Sequence, residues 1–205
     1  MNPGPAVVLV GPAAAGKSTV GELLAPLLGA GFVDIDAVAD PYYAEVGWSL
    51  DRLVRRVGEV GRIPAEREWE PARAHAVSRA VGDHPAVVLA LGAGHTSYTQ
   101  AEHLAQVRAA LAGVRVVLLL PSADRDESLA LLRARSLASK GTTWTYDGHD
   151  LLAEWLDDAG TRSLATEIVY SGDETPATTA HRVAGLVTAS APGSWHTNGP
   201  STDLR

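Results

Sequence analysis

No cysteine occurs among the 205 residues. A disulfide framework, a thiol nucleophile and a cysteine metal site are thereby excluded, although the compartment is not decided by that absence alone. Positive charge is also short, with a formal net charge of -7 and no long arginine cluster. A general nucleic-acid surface needs a basic patch to meet the phosphate backbone, so small-molecule partners are expected and nucleic acid is not. No apolar run approaches the ~20 residues of a membrane span, and Met1 to Pro5 lacks a basic region ahead of a short apolar run. No membrane association is expected, and the chain reads as cytoplasmic. Internal repeats are absent, and nothing in the sequence sets an oligomeric state.

What is present centres on residues 11–18, Gly11-Pro12-Ala13-Ala14-Ala15-Gly16-Lys17-Ser18, a G-x-x-x-x-G-K-S phosphate loop. The apolar run from Ala6 to Val10 predicts a buried strand before it, and Thr19 to Leu24 predicts a helix after it. Gly11 and Gly16 permit backbone conformations that other residues resist. The N–H groups of the loop, from Ala14 and Ala15 through Gly16 and Lys17 to Ser18 and Thr19, can then turn around a phosphate at the helix N-terminus. Lys17 adds a cation at the β/γ-phosphates of ATP, and the Ser18 hydroxyl is placed to ligate Mg²⁺. In the free chain the Lys17 side chain is expected to point into solvent or a bound anion.

Strands alternate with helices throughout. Gly31 to Asp36 predicts a second strand, Ala86 to Leu91 a continuous apolar one ending in Gly92-Ala93-Gly94-His95, Val114 to Leu120 another, and Glu167 to Tyr170 a last short one. Helices are expected over 36–45 with an interruption at Pro41, from Leu50 behind an N-capping Ser49, over 65–81, 101–111, 124–135 and 151–158, and from Thr175-Pro176 onward. The polar stretch 136–150 reads as a mobile excursion. This pattern predicts an α/β fold, a parallel sheet covered by helices on both faces, with one domain over 1–190 and a disordered tail over 191–205.

Neither central apolar strand ends in the acid that many ATPases and GTPases use to orient Mg²⁺, since one closes with Gly92-Ala93-Gly94 and the other with Pro121. Asp34 and Asp36, at the carboxyl end of the second strand, are the best candidates. Their alternate spacing lets one face the metal while the other takes a proton from an acceptor hydroxyl. The plainer reading has Asp36 capping the following helix. Lone His95, after the glycine turn, reads as a hydrogen-bonding loop residue, and Trp144, in a polar loop, as a ring that could close over adenine or an acceptor.

Taken together, the phosphate loop, Phe32-Val33-Asp34-Ile35-Asp36, Gly47-Trp48-Ser49-Leu50 leading to Gly58-Glu59, the glycine-ended apolar strand and Thr175-Pro176 resemble the shikimate kinase family from about Val7 to Val187. The resemblance implies a three-layer P-loop NTPase fold with a lid at about 136–150. It implies Lys17 and Ser18 on ATP and Mg²⁺, Asp34 near the metal, and Asp36 on the acceptor hydroxyl as base. It also implies an acceptor-carboxylate arginine at Arg67, with Arg62 competing, and a second at Arg162. Gly92, Ala93 and Gly94 stand where the family brings three glycines close to the acceptor. The family's Arg-Pro-Leu-Leu lid signature is missing, which leaves Arg133 for the transferred phosphoryl group, Arg135 for the nucleotide, and Lys140 as a further cation. Arg133 and Arg135 are two apart and share no helix face, so at most one is expected to meet phosphate. Glu66 replaces the phenylalanine before the acceptor arginine. The implied activity is transfer of the ATP γ-phosphoryl group to a hydroxyl of a small, anionic metabolite other than shikimate. A nucleoside or nucleotide kinase and a nucleotide-binding regulatory protein without transferase activity are the alternative readings.

Overall fold

The computed structural model describes residues 4–189, so the tail expected over 191–205 lies outside the described residues. In chain order the elements are β1 (Val7–Val10), α1 (Lys17–Leu27), β2 (Gly31–Asp34), α2 (Ile35–Val38), α3 (Asp40–Glu45), α4 (Leu50–Val60), α5 (Arg62–Asp83) and β3 (Val87–Ala90). There follow α6 (Ala101–Ala110), β4 (Val116–Leu120), α7 (Arg125–Lys140), β5 (Thr145–Tyr146), β6 (His149–Asp150), α8 (Leu151–Asp157), α9 (Ala159–Leu164), β7 (Glu167–Tyr170) and α10 (Pro176–Ala189). Five strands form one parallel sheet in the order β2-β3-β1-β4-β7.

Residue composition explains the layering. Every position of β1 and β4 is buried, as continuous apolar runs require when helices cover both faces. β2 and β7 stand at the sheet edges and are partly exposed. The chain moves from β1 out to β2, returns to insert β3 between them, and then crosses to β4 on the other side of β1. The carboxyl ends of β1, β2 and β3 thus open onto one crevice beside this switch in direction, where open α/β sheets bind ligands. Among the described residues no helix is long and apolar enough to cross a membrane.

Several boundaries differ from expectation. Pro41 does not interrupt one helix; it occupies the first turn of α3, where its missing N–H costs nothing, and Ala39 divides α3 from α2. α5 starts already at Arg62 rather than at 65, with Pro64 tolerated in its first turn. α7 continues to Lys140 before Gly141 ends it in a left-handed conformation. The remainder of the polar excursion forms the antiparallel pair β5-β6 around Asp147 and Gly148, both with positive φ as a tight hairpin turn demands.

A buried carboxylate fixes α5 to the start of α6. Glu70 is fully buried and accepts hydrogen bonds from the Thr99 backbone N–H at 3.0 Å and the Thr99 hydroxyl at 2.9 Å, with Arg67 at 3.5 Å. Glu70→Ala would remove the acceptor that ties Thr99 and Arg67 together and leave a void at a fully buried position. The expected loss is about 3 kcal/mol, or roughly 10 °C in Tm, read by thermal and urea denaturation. A loss below about 1 kcal/mol would show that the network holds nothing together.

Candidate active site

The phosphate loop follows directly from the sheet. At Gly11 φ is +142°, and a Cβ there would lie 2.5 Å from the Leu119 carbonyl oxygen of the neighbouring strand, so only glycine lets the loop leave β1 along this path. Ala14 holds a left-handed φ of +62°, a conformation that costs about 1 kcal/mol for an L-residue and turns the loop backbone inward. α1 begins at Lys17, so its first N–H groups face the hollow of the loop.

The Lys17 side chain differs from expectation. It folds back into the loop, 9% exposed, and Nζ donates to the carbonyls of Gly11 at 2.8 Å and Pro12 at 2.9 Å. Burial pushes its pKa down from 10.5 to about 8, against the pull of Asp36 and with a smaller push from Lys140. The loop therefore stores a poorly hydrated cation that an anion would relieve. Ser18 Oγ donates to Asp34 Oδ2 at 2.6 Å, while Asp34 Oδ1 accepts from the Asp36 N–H at 3.0 Å. Asp34, not Asp36, is thus the cap of α2, and the Asp36 carboxylate is left free of that duty.

A cavity of about 680 Å³ joins this loop to the acids where β2 passes into α2, the turn after β3, one face of α5 and the end of α7. Asp36 projects into it, its side chain 62% exposed to the solvent of the cavity. The surrounding protein walls and then the charge of Asp34 raise the Asp36 pKa above the ordinary carboxylate value. Behind it lies His95, 3% exposed, with Nε2 2.7 Å from the Tyr43 hydroxyl and Nδ1 3.9 Å from Asp36 Oδ1. Burial, reinforced by Arg73, pushes the His95 pKa to about 3, so this ring is neutral at physiological pH. The turn is held from outside by Tyr98, which donates to the His95 carbonyl at 2.7 Å, and by the Thr161 to Thr96 hydroxyl contact at 2.9 Å.

Gly92 is wedged between these groups. A Cβ would meet Asp36 Oδ1 at 2.5 Å and His95 Nδ1 at 2.6 Å. Gly92→Ala is expected to displace the carboxylate and lower kcat about a hundredfold with ATP affinity retained, measured by steady-state kinetics beside ATP titration. An unchanged kcat would show that the Asp36 position is not set by this contact.

The cavity collects some of the anticipated residues and leaves others outside. Ala14, Gly16, Lys17, Ser18, Thr19, Asp34, Asp36, Gly92, Ala93, Gly94, Arg135 and Lys140 line it. Arg67 does not; it turns to α8 and pairs with Glu154 at 2.8 Å. Arg162 lies exposed on α9, its guanidinium 3.4 Å from the Leu156 carbonyl. Arg133 pairs with Asp150 at the foot of the β5-β6 hairpin, whereas Arg135, on the other side of α7, faces the cavity and donates to the Gly172 carbonyl at 3.4 Å. Trp144 lines the cavity and packs edge-on against Trp155 at 5.2 Å, with its ring N–H on Ser136 Oγ at 2.9 Å.

Arg62, the competing choice, stands in the cavity in place of Arg67, joined by Glu66, Trp69 and Arg73, which were not anticipated there. The four form one wall. Their spacing of four, three and four residues is that of a single helix face, a signal readable in the sequence once α5 is known to begin at Arg62. Glu66 is 5% exposed and pairs with Arg62 and, at 3.6 Å, with Arg73. Arg73 is 3% exposed and donates to the Gly94 carbonyl at 2.8 Å.

Comparison with known proteins adds an independent line. A profile of the shikimate kinase family matches residues 13–137. The shikimate kinase of Thermobifida fusca is 35% identical over 185 residues, covering 90% of this chain and 95% of that protein. That of Streptomyces coelicolor is 39% identical over 125 residues, and the match spans 62% of its length. Among solved structures, shikimate kinase from Acinetobacter baumannii in complex with shikimate superposes with a TM-score of 0.63 at 21% identity, over 91% of this chain and 94% of that one, a likeness of fold.

Proposed function

The chain belongs to the shikimate kinase family, and from that premise we propose that it transfers the γ-phosphoryl group of ATP to a hydroxyl of a small metabolite. The observation that carries this reading is the meeting of Lys17, Ser18, Asp34 and Asp36 in one cavity, a phosphate cradle on one side and a carboxylate facing open space on the other. The loop N–H groups and Lys17 bind the ATP phosphates, Lys17 exchanging its loop carbonyls for phosphate oxygens. Ser18 and Asp34 offer hard oxygen donors side by side, the set that suits Mg²⁺, and would hold it. Bound there, the ion neutralises charge on the phosphates.

On the acceptor side Asp36 orients the hydroxyl and takes its proton as the oxygen bonds to the γ-phosphorus and the bond to the bridging oxygen breaks, releasing ADP. Its raised pKa makes it a stronger base than a free carboxylate. Arg135 and Lys140 supply cations from α7, and Arg135 replaces Arg133 as the lid arginine of this scheme. One domain performs the reaction, with the segment 136–150 as its lid, since that segment contributes Ser139, Lys140 and Trp144 to the cavity wall. The test is purified protein with MgATP and a panel of cyclitols, sugars, hydroxy acids and nucleosides, followed by ADP release and by mass of the product. Absence of any phosphorylated product across the panel would overturn the assignment.

A further inference from the structure

The α5 wall of the cavity has an unusual charge balance. One carboxylate, Glu66, stands between two guanidinium groups, Arg62 and Arg73, while His95 contributes no charge. Both guanidinium groups are already engaged through their Nη atoms. Arg62 Nη2 pairs with Glu66; Arg73 Nη1 donates to the Gly94 carbonyl and lies 3.6 Å from Glu66, and Arg73 Nη2 donates to the Glu66 carbonyl at 3.1 Å. Arg67 and Arg162 lie outside the cavity and add no cation to this wall, and the remaining cations of the cavity, Lys17, Arg135 and Lys140, come from α1 and α7. An incoming carboxylate would have to displace Glu66 from its partners and then sit beside it, inside a site where charges are weakly screened.

A hydroxyl meets the same wall on different terms, because it can donate to Glu66 and accept from a guanidinium at once. The wall also holds donors with nothing to donate to: Arg62 Nε, Arg73 Nε and Trp69 Nε1 are buried without a hydrogen-bond partner. Oxygen acceptors brought by a ligand would satisfy them after a small shift of the side chains. Trp69 and Trp155 add apolar surface suited to the C–H face of a ring.

We propose that the acceptor is an uncharged polyhydroxy compound, in place of the anionic metabolite expected from the sequence, and that Glu66 excludes carboxylate-bearing acceptors from the cavity. This rests on the kinase reading of the same site, in that it names what the site accepts. The test compares equilibrium binding, by calorimetry in the presence of MgADP, of matched ligands: shikimate and its carboxyl-reduced alcohol, aldonates and the corresponding alditols, together with inositols. Wild type is expected to bind at least one uncharged member about tenfold or more tightly than its carboxylate counterpart. Glu66→Gln keeps the shape of the wall and frees the arginines, so it is expected to gain at least tenfold in affinity for the carboxylate. Wild type that prefers the carboxylates, shows no preference or binds neither set overturns the proposal, as does a folded Glu66→Gln protein without that gain. Should the variant fail to fold by its melting curve, the wild-type comparison decides alone. Because binding needs no transfer, the two readings fail separately. Selection of uncharged polyols without any phosphorylated product would sink the kinase assignment only, and efficient phosphorylation of shikimate over every uncharged polyol would sink this proposal only.

Discussion

Lys17→Ala is expected to weaken ATP binding by roughly ten- to a hundredfold and to slow phosphoryl transfer by more. A charge-assisted contact to phosphate contributes on the order of 1.5–3 kcal/mol, and the loop N–H groups and Ser18 remain after the substitution. Transfer suffers further because charge moves toward the bridging oxygen as the reaction proceeds, and a fixed cation stabilises it better than water does. The free protein also responds. Lys17 is buried and its pKa is pushed down to about 8, so between pH 8 and 10.5 the folded state binds fewer protons than the unfolded chain. Stability contributed by this group therefore rises across that window, and the cost of the buried charge, on the order of 3 kcal/mol, is fully present below it. Lys17→Ala should lose that slope, while the Gly11 and Pro12 carbonyls are left to water. ATP titration by calorimetry, single-turnover transfer, and urea denaturation of the free protein at pH 7 and pH 10 measure all three. Unchanged ATP affinity, or no ATP binding by wild type, would overturn the reading of the loop.

Asp36→Asn should lower kcat by about 10² to 10⁴ and leave ATP affinity nearly unchanged. The amide keeps the size of the side chain and removes its capacity to take a proton. Since the folded pKa lies above the ordinary carboxylate value, wild-type kcat/KM should fall as pH drops through that raised value, earlier than a free aspartate would dictate. The alkaline side should fall near pH 8 in kcat/KM for ATP, where free Lys17 loses its proton, and should move upward at saturating ATP, because bound phosphate holds the proton on. The stability sign is opposite to that of a salt-bridged aspartate. A raised carboxyl pKa means the charged form is disfavoured in the fold, so stability from this group declines as pH rises through the folded value, and Asp36→Asn should melt no lower than wild type at pH 7. Retention of wild-type kcat in the variant would remove Asp36 from the chemistry and favour a nucleotide-binding protein without transferase activity.

Local and short-range features were legible in the residues. Apolar runs longer than one strand face specify buried parallel strands, and β1 and β4 are buried throughout. The phosphate loop carries its own geometry, since Gly11 and Gly16 both have positive φ and flank the turn that presents Lys17 and Ser18. Asp34 and Asp36 were readable as a pair because they sit two residues apart beside that loop, although β2 ends at Asp34 and Asp36 already lies in α2 rather than in the expected strand. Even the opposed directions of Arg133 and Arg135 follow from a spacing of two on a helix, although which of them faces the cavity does not.

What only the tertiary structure decided is the charge of the acceptor wall. α5 begins at Arg62, three residues before the expected start, and its rotation against α6 and α8 is set by contacts far along the chain: Glu70 on Thr99, and Arg67 on Glu154. A helix turns each residue by about 100°, so the partners that take up Arg67 on one side oblige Arg62, Glu66, Trp69 and Arg73 to face the cavity on another. Spacing along the chain by itself determined the phosphate-loop end, where backbone conformation shapes the cradle and neighbours in sequence are neighbours in space. It left the acceptor end open, because there the side chains come from α5, the turn after β3 and the end of α7, and packing energy summed over all three selects which charges meet.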